Sequence, residues 1–338
     1  MRIVLVRLSA LGDIVHTWPL AEAIRKAHPE THLTWVVEES LRTLVEGHPA
    51  VNAVFTVASG RWRRRPLAAR TRMETGSLRT RFSELQPDIA LDPQGVLKSA
   101  VITRWTGAPR RVGLARPWRR ERVAGFVYTE TIPGATAGRH VVATNLEMVR
   151  SLGVEPPPVQ PPDGSWFLER VLPRAPVGPW QKPYAVILPG AGGAHKALPV
   201  ETLATVARGL TTLDLEAVVA WGPGERPRAE SVVDAGDFGV HLAPPTDLEE
   251  LGALLGRAAL VIGGDTGPVH LGASLGVPTL AVFLASDWRR NGPLGARTAV
   301  LSGAAETTIG PSGSARARPR RAVTAEEIID SARNLLDS

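Results

Sequence analysis

Short apolar runs alternate with stretches of helical periodicity along most of the chain. Residues 2–7 (RIVLVR), 32–37 (HLTWVV), 53–57 and 88–92 (DIALD) read as strands. Between them, helices are predicted at 14–27, at 39–46, over a stretch ending before Pro87, and near 95–105, with a last one at 138–152. From Gly153 to Pro183 prolines become dense. Because proline fixes φ and removes an N–H donor, this segment reads as a linker. The alternation then restarts. Strands are expected at 184–188 (YAVIL), 215–221, 239–242, 259–263 and 278–283, and helices at 200–212, from about 225, at 247–256, 268–275 and 324–336.

Repeated βα units imply parallel, doubly wound sheets, so the fold class is α/β with two Rossmann-like halves. The expected division is a first domain over 1–160, a Pro-rich linker over 161–182, a second domain over 183–323 and a C-terminal helix over 324–338 that packs back on the first domain. Ligands of such sheets bind outside the carboxyl ends of the strands. The loops there are where chemistry is sought, with a cleft between the domains as the expected site.

Composition narrows the picture. A chain of 338 residues with 43% hydrophobic and 21% charged residues suits two globular domains. It has no cysteine, which excludes disulfides and thiolate metal ligation. The opening apolar stretch is too short for a signal peptide, and no run is long enough to span a bilayer, so a cytoplasmic protein is expected. Charge is uneven. The first 160 residues hold 23 Lys+Arg against 14 Asp+Glu, and the rest 16 against 19. The first half therefore favours an anionic partner: nucleic acid, an anionic membrane surface or an acidic substrate.

Five loops carry candidate chemistry. After the first strand, Ser9-Ala10-Leu11-Gly12-Asp13 turns on Gly12 into a helix. Asp13 reads either as an N-cap or as a general base at the mouth of a cleft. After the strand 184–188, the run from Pro189 to Lys196 contains Gly190, Gly192 and Gly193. It allows close backbone approach to a phosphate with a lysine charge beside it, or is simply a flexible connection. In Gly264-Asp265-Thr266-Gly267-Pro268-Val269-His270 the proline suits a first helical turn whose free N–H groups fit a diphosphate. His270 there either faces a ligand or packs on the sheet. Glu225, after Trp221-Gly222-Pro223-Gly224, can accept both hydroxyls of a ribose or be a solvated first-turn glutamate. The basic run Arg61-Trp62-Arg63-Arg64-Arg65 reads as a loop that binds carboxylates or phosphates, or as a solvated surface loop. No established nucleic-acid-binding pattern accompanies it. A second basic cluster spans 116–122.

Taken together, SALGDIVHTWP at the start, HKALP, WGPGE, GGDTGPVHLGASLGVPTLAVF and SDWRRNGPLG resemble the glycosyltransferase family 9 heptosyltransferases, and within them the heptosyltransferase I branch. The resemblance covers nearly the whole chain and is weakest over 58–85 and 153–182. It implies a GT-B fold with two Rossmann-like domains, an acceptor-binding first and a nucleotide-sugar-binding second. It implies inverting transfer of L-glycero-D-manno-heptose from ADP-heptose to a Kdo residue of Kdo-lipid A, without a metal or other cofactor and without nucleic acid, at the cytoplasmic face of the inner membrane. By motif match Asp13 is the catalytic base and Lys196 stabilises the departing diphosphate. Gly190, Glu225, Asp265, Thr266, Gly267 and His270 hold the donor. Gly12, Arg61, Arg63 and Arg64 belong to the acceptor side. Leu198 stands where the family often has an aromatic, and the segment 315–321 is unusually basic. Another GT-B activity with a different sugar donor or acceptor, and a non-catalytic nucleotide-binding protein, are the alternatives.

Overall fold

A computed structural model describes residues 1–116, 118–135, 140–193, 196–303 and 321–337 of the chain. It resolves into two compact units that divide between Gln160 and Pro161. The first unit runs β1 (Arg2–Val6), α1 (Leu11–Val15), α2 (Trp18–Ala27), β2 (His32–Glu38), β3 (Ala53–Val57), α3 (Ser59–Arg64) and α4 (Ala69–Leu85), then β4 (Ile89–Asp92), α5 (Leu97–Trp105), β5 (Arg110–Leu114), β6 (Glu130–Ile132) and α6 (Val141–Leu146). All its strands are parallel, in the order β3-β2-β1-β4-β5-β6.

The second unit starts at α7 (Ser165–Val171). It continues through β7 (Tyr184–Leu188), α8 (Val200–Leu210), β8 (Glu216–Val219), α9 (Arg226–Asp234), β9 (Val240–Leu242), α10 (Leu248–Gly256) and β10 (Leu260–Gly263), and closes with α11 (Gly267–Ser274), β11 (Thr279–Phe283), α12 (Trp288–Asn291), β12 (Thr298–Ser302) and α13 (Ala325–Leu336). Its sheet, β12-β11-β10-β7-β8-β9, repeats the topology of the first and is also parallel.

Parallel strands are covered on both faces, so the central ones are apolar throughout rather than alternating. Ile3, Val4, Leu5 and Val6 in β1, and Ala185, Val186 and Ile187 in β7, are fully buried. In each sheet the strand order reverses beside the first strand of the unit, between β1 and β4 and between β7 and β10. Those two switch points open the crevices where doubly wound sheets hold ligands.

Several elements differ from the sequence-based expectation. The helix expected over 14–27 is two helices, since Pro19 starts a new one in its first turn. The helix expected at 39–46 is a 3-10 segment, Glu39–Leu44. Strands β5, β6 and β12 were not anticipated. In β5 and β6 charged positions dilute the apolar signal, and β12 is only half-buried.

The segment 161–182 is not a bare linker. Its α7 buries Phe167 and Val171, and Phe167 lies on Gly252 of α10, where a Cβ would come within 2.5 Å of the ring. Proline density masked one amphipathic turn pair. The C-terminal helix packs within its own unit. Ile328, Ala332 and Leu335 of α13 are buried in the core formed with α8, and Gly209 of α8 gives way to Ile329, whose Cδ1 would stand 2.3 Å from a Cβ there. A capping box between Thr324 and Glu327 starts α13. The basic residues 315–320, and Ala194 and His195 of the glycine loop, lie outside the described residues.

Phe167→Ala removes a fully buried aromatic and is expected to destabilise the second unit by about 3–5 kcal/mol. Urea unfolding followed by tryptophan fluorescence reads the loss. A bare linker there would leave the midpoint unmoved.

Candidate active site

In the first unit the site is built at the end of β1. The apolar run of β1 ends in Arg7, which is buried and whose charge therefore needs a partner. Its Nη2 meets Asp13 Oδ1 at 2.7 Å, and its Nη1 donates to the Pro93 carbonyl at 3.0 Å. Asp13 is the third residue of α1, not its N-cap. Ala10 occupies the cap, and its N–H donates to Asp13 Oδ2 at 3.2 Å. Helix position and ion pair together hold the carboxylate, which stays about a third exposed, its side chain at 31%. Gly12 is buried in the same turn.

The turn after β4 completes the support. Asp92, fully buried, accepts N–H bonds from Gln94 and Gly95 on Oδ1 and the Tyr128 hydroxyl on Oδ2 at 2.7 Å. Gly113 leaves room for the Tyr128 ring, which would lie 2.1 Å from a Cβ there. Burial pushes the Asp92 carboxyl above the ordinary aspartate range, against the pull of these hydrogen bonds. The turn so fixed presents Gln94 Oε1 to the Leu8 N–H at 2.8 Å, beside Arg7. Lys98, at the start of α5, donates to Ser9 Oγ at 2.6 Å and lies 3.6 Å from Glu38.

The basic run is helical rather than a loop. Trp62 is buried in α3 and anchors it, while Arg63 and Arg64 are exposed. Arg61 points at carboxylates of its own chain: Glu74 at 2.9 Å and Glu39 at 3.3 Å. Hydrogen bonds from Arg70, Trp62 and Arg61 lower the Glu74 carboxyl to about 2 against the opposing effect of burial.

In the second unit, the loop after β7 and the start of α11 bring Lys196 and Asp265 together. Lys196 Nζ and Ser286 Oγ both donate to Asp265 Oδ2, each at 2.7 Å. Burial pushes Asp265 upward, but the bonds from Lys196 and Ser286 and the lysine charge outweigh it and hold the carboxyl below its ordinary range. Thr266 is the N-cap of α11, yet its hydroxyl makes no capping bond and is buried without a partner among the described residues. Gly267 and Pro268 open the helix, whose first-turn N–H groups are the ones an α-helix leaves unbonded. His270 is buried in that helix.

Glu225 stands at the N-cap position of α9 and accepts the Gly222 N–H at 2.9 Å. Its carboxylate lies on Gly190, where a Cβ would come within 1.9 Å of Oε1, so the glycine there is required by close approach. Arg228 donates to the Pro189 carbonyl at 2.8 Å and pins the loop.

The structure thus gathers Gly190 with Glu225, and Lys196 with Asp265, Thr266 and Gly267. Asp13 and Gly12 stand in the first unit. Arg61 is held by acidic partners. Sequence reasoning missed Arg7, Asp92, Lys98 and Ser286. A charge at the end of an apolar strand was the available signal for Arg7. Ser286 lies in the SDWRRNGPLG stretch already singled out. Among the described residues no cluster of three or more His, Asp or Glu side chains is placed to hold a metal ion, and no helix is long and apolar enough to cross a membrane.

Two outcomes follow from this geometry. Asp13→Ala leaves the buried Arg7 without its carboxylate and is expected to cost on the order of 2 kcal/mol, between the values for buried and surface pairs. Asp13→Asn, which keeps an oxygen acceptor, costs less in chemical denaturation. A carboxyl lowered by folding contributes stability above its unfolded pKa and loses it as pH falls through the folded value. Carboxyl-carbon NMR should therefore show Asp265 titrating below the ordinary aspartate range. Lys196→Met should move that titration upward, because burial is then less opposed.

The family model described as glycosyltransferase family 9 (heptosyltransferase) matches residues 75–311. Lipopolysaccharide heptosyltransferase 1 of Pseudomonas aeruginosa is 32% identical over 284 residues, 84% of this chain and 78% of that protein. The enzyme of the same name from Escherichia coli K12 is 28% identical over 289 residues, 85% of this chain and 89% of that protein. Among solved structures, E. coli heptosyltransferase WaaC with ADP superposes with a TM-score of 0.82 at 28% identity, over 99% of this chain and all of that one. WaaC with ADP-2-deoxy-2-fluoro heptose gives 0.78 over 99% of each chain. With two parallel sheets of one topology and these matches along its length, the chain is a glycosyltransferase and belongs to family 9, the heptosyltransferases.

Proposed function

We propose that this enzyme moves L-glycero-D-manno-heptose from ADP-heptose to a Kdo residue of Kdo-lipid A, with inversion, at the cytoplasmic face of the inner membrane. The observation that carries the reading is the Lys196–Asp265 pair beside the open first turn of α11: a fixed cation and free N–H groups at the switch point of a parallel sheet, the arrangement a diphosphate leaving group needs. The relatives whose structures contain ADP and an ADP-heptose analogue support the choice of donor.

In this reading the second unit binds the donor. Glu225 accepts the ribose hydroxyls, and Gly190 serves the donor by giving the Glu225 carboxylate its seat. The free Thr266 hydroxyl and the N–H groups from Gly267 onward take phosphate oxygens. Asp265 and His270 line the sugar side. Asp265 holds the Lys196 ammonium in place before the donor arrives, so less side-chain entropy remains to be lost on binding. The acceptor hydroxyl attacks the anomeric carbon while Asp13 takes its proton. The bond from that carbon to the diphosphate oxygen breaks, and ADP leaves with the bonding pair. Negative charge grows on the leaving oxygen in the transition state, and Lys196 with the α11 N–H groups stabilises it. Lys196 thereby fills the part a resident metal plays in other transferases. Arg63 and Arg64 meet the acidic acceptor, and Arg61 joins them when it leaves Glu39.

Asp13→Asn is expected to lower kcat by a factor of about 100 or more, the range for losing a general base, with ADP affinity by calorimetry unchanged. Full turnover in that variant would remove Asp13 as base. Lys196→Ala should lower kcat more than it weakens donor binding. A binding defect alone, with kcat intact, would contradict its role at the leaving group. Incubation with ADP-heptose, ADP-glucose and UDP-sugars, with Kdo-lipid A or a heptosylated core as acceptor, reads the specificity. Acceptor-dependent ADP release from ADP-heptose and Kdo-lipid A is the expected result.

A further inference from the structure

Among the described residues of the first unit, the exposed large apolar side chains apart from Met1 and Val159 are Leu67, Met73, Leu97, Val123 and Phe126. They share one placement. Leu67 and Met73 lie in the α3–α4 connection and the first two turns of α4, after β3. Leu97 starts α5, after β4. Val123 and Phe126 lie in the 3-10 segment Arg122–Phe126, after β5. All five thus follow the carboxyl ends of strands of one sheet, β4 and β5 side by side and β3 at the margin with β2 and β1 between, on the edge that also carries Asp13.

Leu67 is 81% and Phe126 93% exposed, as fully as Val177 and Phe238 of the second unit at 94%; what sets these five apart is that they share one edge. Exposed arginines are interleaved with them: Arg63, Arg64, Arg65 and Arg72 on one side, Arg116, Arg120 and Arg122 on the other. None of these seven makes an ion pair among the described residues. Residues 59–85 contain eight arginines and two acidic residues, one of which, Glu74, is consumed by Arg61 and Arg70. The two sides are tied into one surface. Glu38 accepts from the Ser59 N–H and lies 3.6 Å from Lys98, and Glu121 accepts from the Leu97 N–H at 2.8 Å.

We infer that the carboxyl edge of the first unit is a docking face for an anionic phospholipid bilayer. Leu67, Phe126 and their apolar neighbours enter the headgroup boundary, and the arginines around them meet lipid phosphates. Apolar tips ringed by unpaired cations are the composition of an interfacial anchor, and two weak signals of this kind act together. A nucleic acid would match the arginines but leaves the aliphatic side chains without a role. This deepens the proposed function, on which it rests for the lipid-borne acceptor. A face that holds the bilayer beside Asp13 presents the acceptor sugar to the base without lifting the lipid from the membrane.

The test is sedimentation of the full chain with vesicles of phosphatidylcholine alone and with vesicles enriched in phosphatidylglycerol, alongside transfer assays on a de-acylated, water-soluble Kdo glycan. Binding should require phosphatidylglycerol and weaken with salt. Arg72→Gln and Arg122→Gln should each lower vesicle affinity about fivefold, and the double variant Leu67→Ser, Phe126→Ser about tenfold or more. All three should keep wild-type transfer to the soluble glycan, which shows that they fold. Equal binding to both vesicle types, or wild-type vesicle affinity in the double variant, would overturn the inference. So would a concentration-dependent dimer abolished by Leu67→Ser and Phe126→Ser, which would assign the face to a second copy. Vesicle binding without any transfer to the soluble glycan would instead defeat the proposed activity and leave the surface standing.

Discussion

A guanidinium buried at the end of a strand cannot stand alone. Removing a charge from water costs several kcal/mol unless a partner and hydrogen bonds replace the solvent. Arg7 meets that demand with the Asp13 carboxylate and the Pro93 carbonyl. The requirement runs in both directions: the arginine needs the carboxylate, and the carboxylate takes its orientation from the arginine. Asp92 and Gln94 hold the adjoining turn, so the support of this carboxylate reaches from the end of β1 through the end of β4 to Tyr128, which lies against β5.

The second unit uses the same plan with the charges reversed. Its sheet has the same strand order, and its polar cluster also sits where that order reverses. There the deeper group is the carboxylate Asp265, partly withdrawn from water and held ionised by Lys196 and Ser286, and its more exposed partner is a cation. Each unit thus fixes a partly exposed charge by pairing it with an opposite one set deeper in the fold. Preorganisation of this kind lets a transferase stabilise charge as it develops without reorganising its own dipoles.

The strongly apolar elements were legible from pattern alone. Strands β1, β2, β7, β10 and β11 carry unbroken buried runs, and the glycine and proline punctuation around Asp13, Gly190 and Gly267 marked the loops that follow them. The elements that went unread are those whose local signal is weak. In β5 and β6, arginine and glutamate at exposed positions interrupt the apolar run, and their identity as strands comes from pairing with neighbours. Helix α7 hides among prolines and is stabilised by Phe167 settling on Gly252, a residue far along the chain.

The sequence by itself determined the α/β class, the repeated halves, the concentration of positive charge in the first and the residues at which chemistry was sought, because periodicity, turn residues and charge are local properties. Which of those residues act together was decided only by the tertiary structure. Lys196 with Asp265 and Ser286, and Glu225 with Gly190, are meetings between separate βα units, set by strand order, while Arg7 with Asp13 is a pairing within one unit, set by the burial of the arginine. Arg61 shows the same from the other side. As a letter it is an open cation, and as a folded side chain it is occupied by Glu74 and Glu39, since a partner's distance in space is not encoded in its distance along the chain.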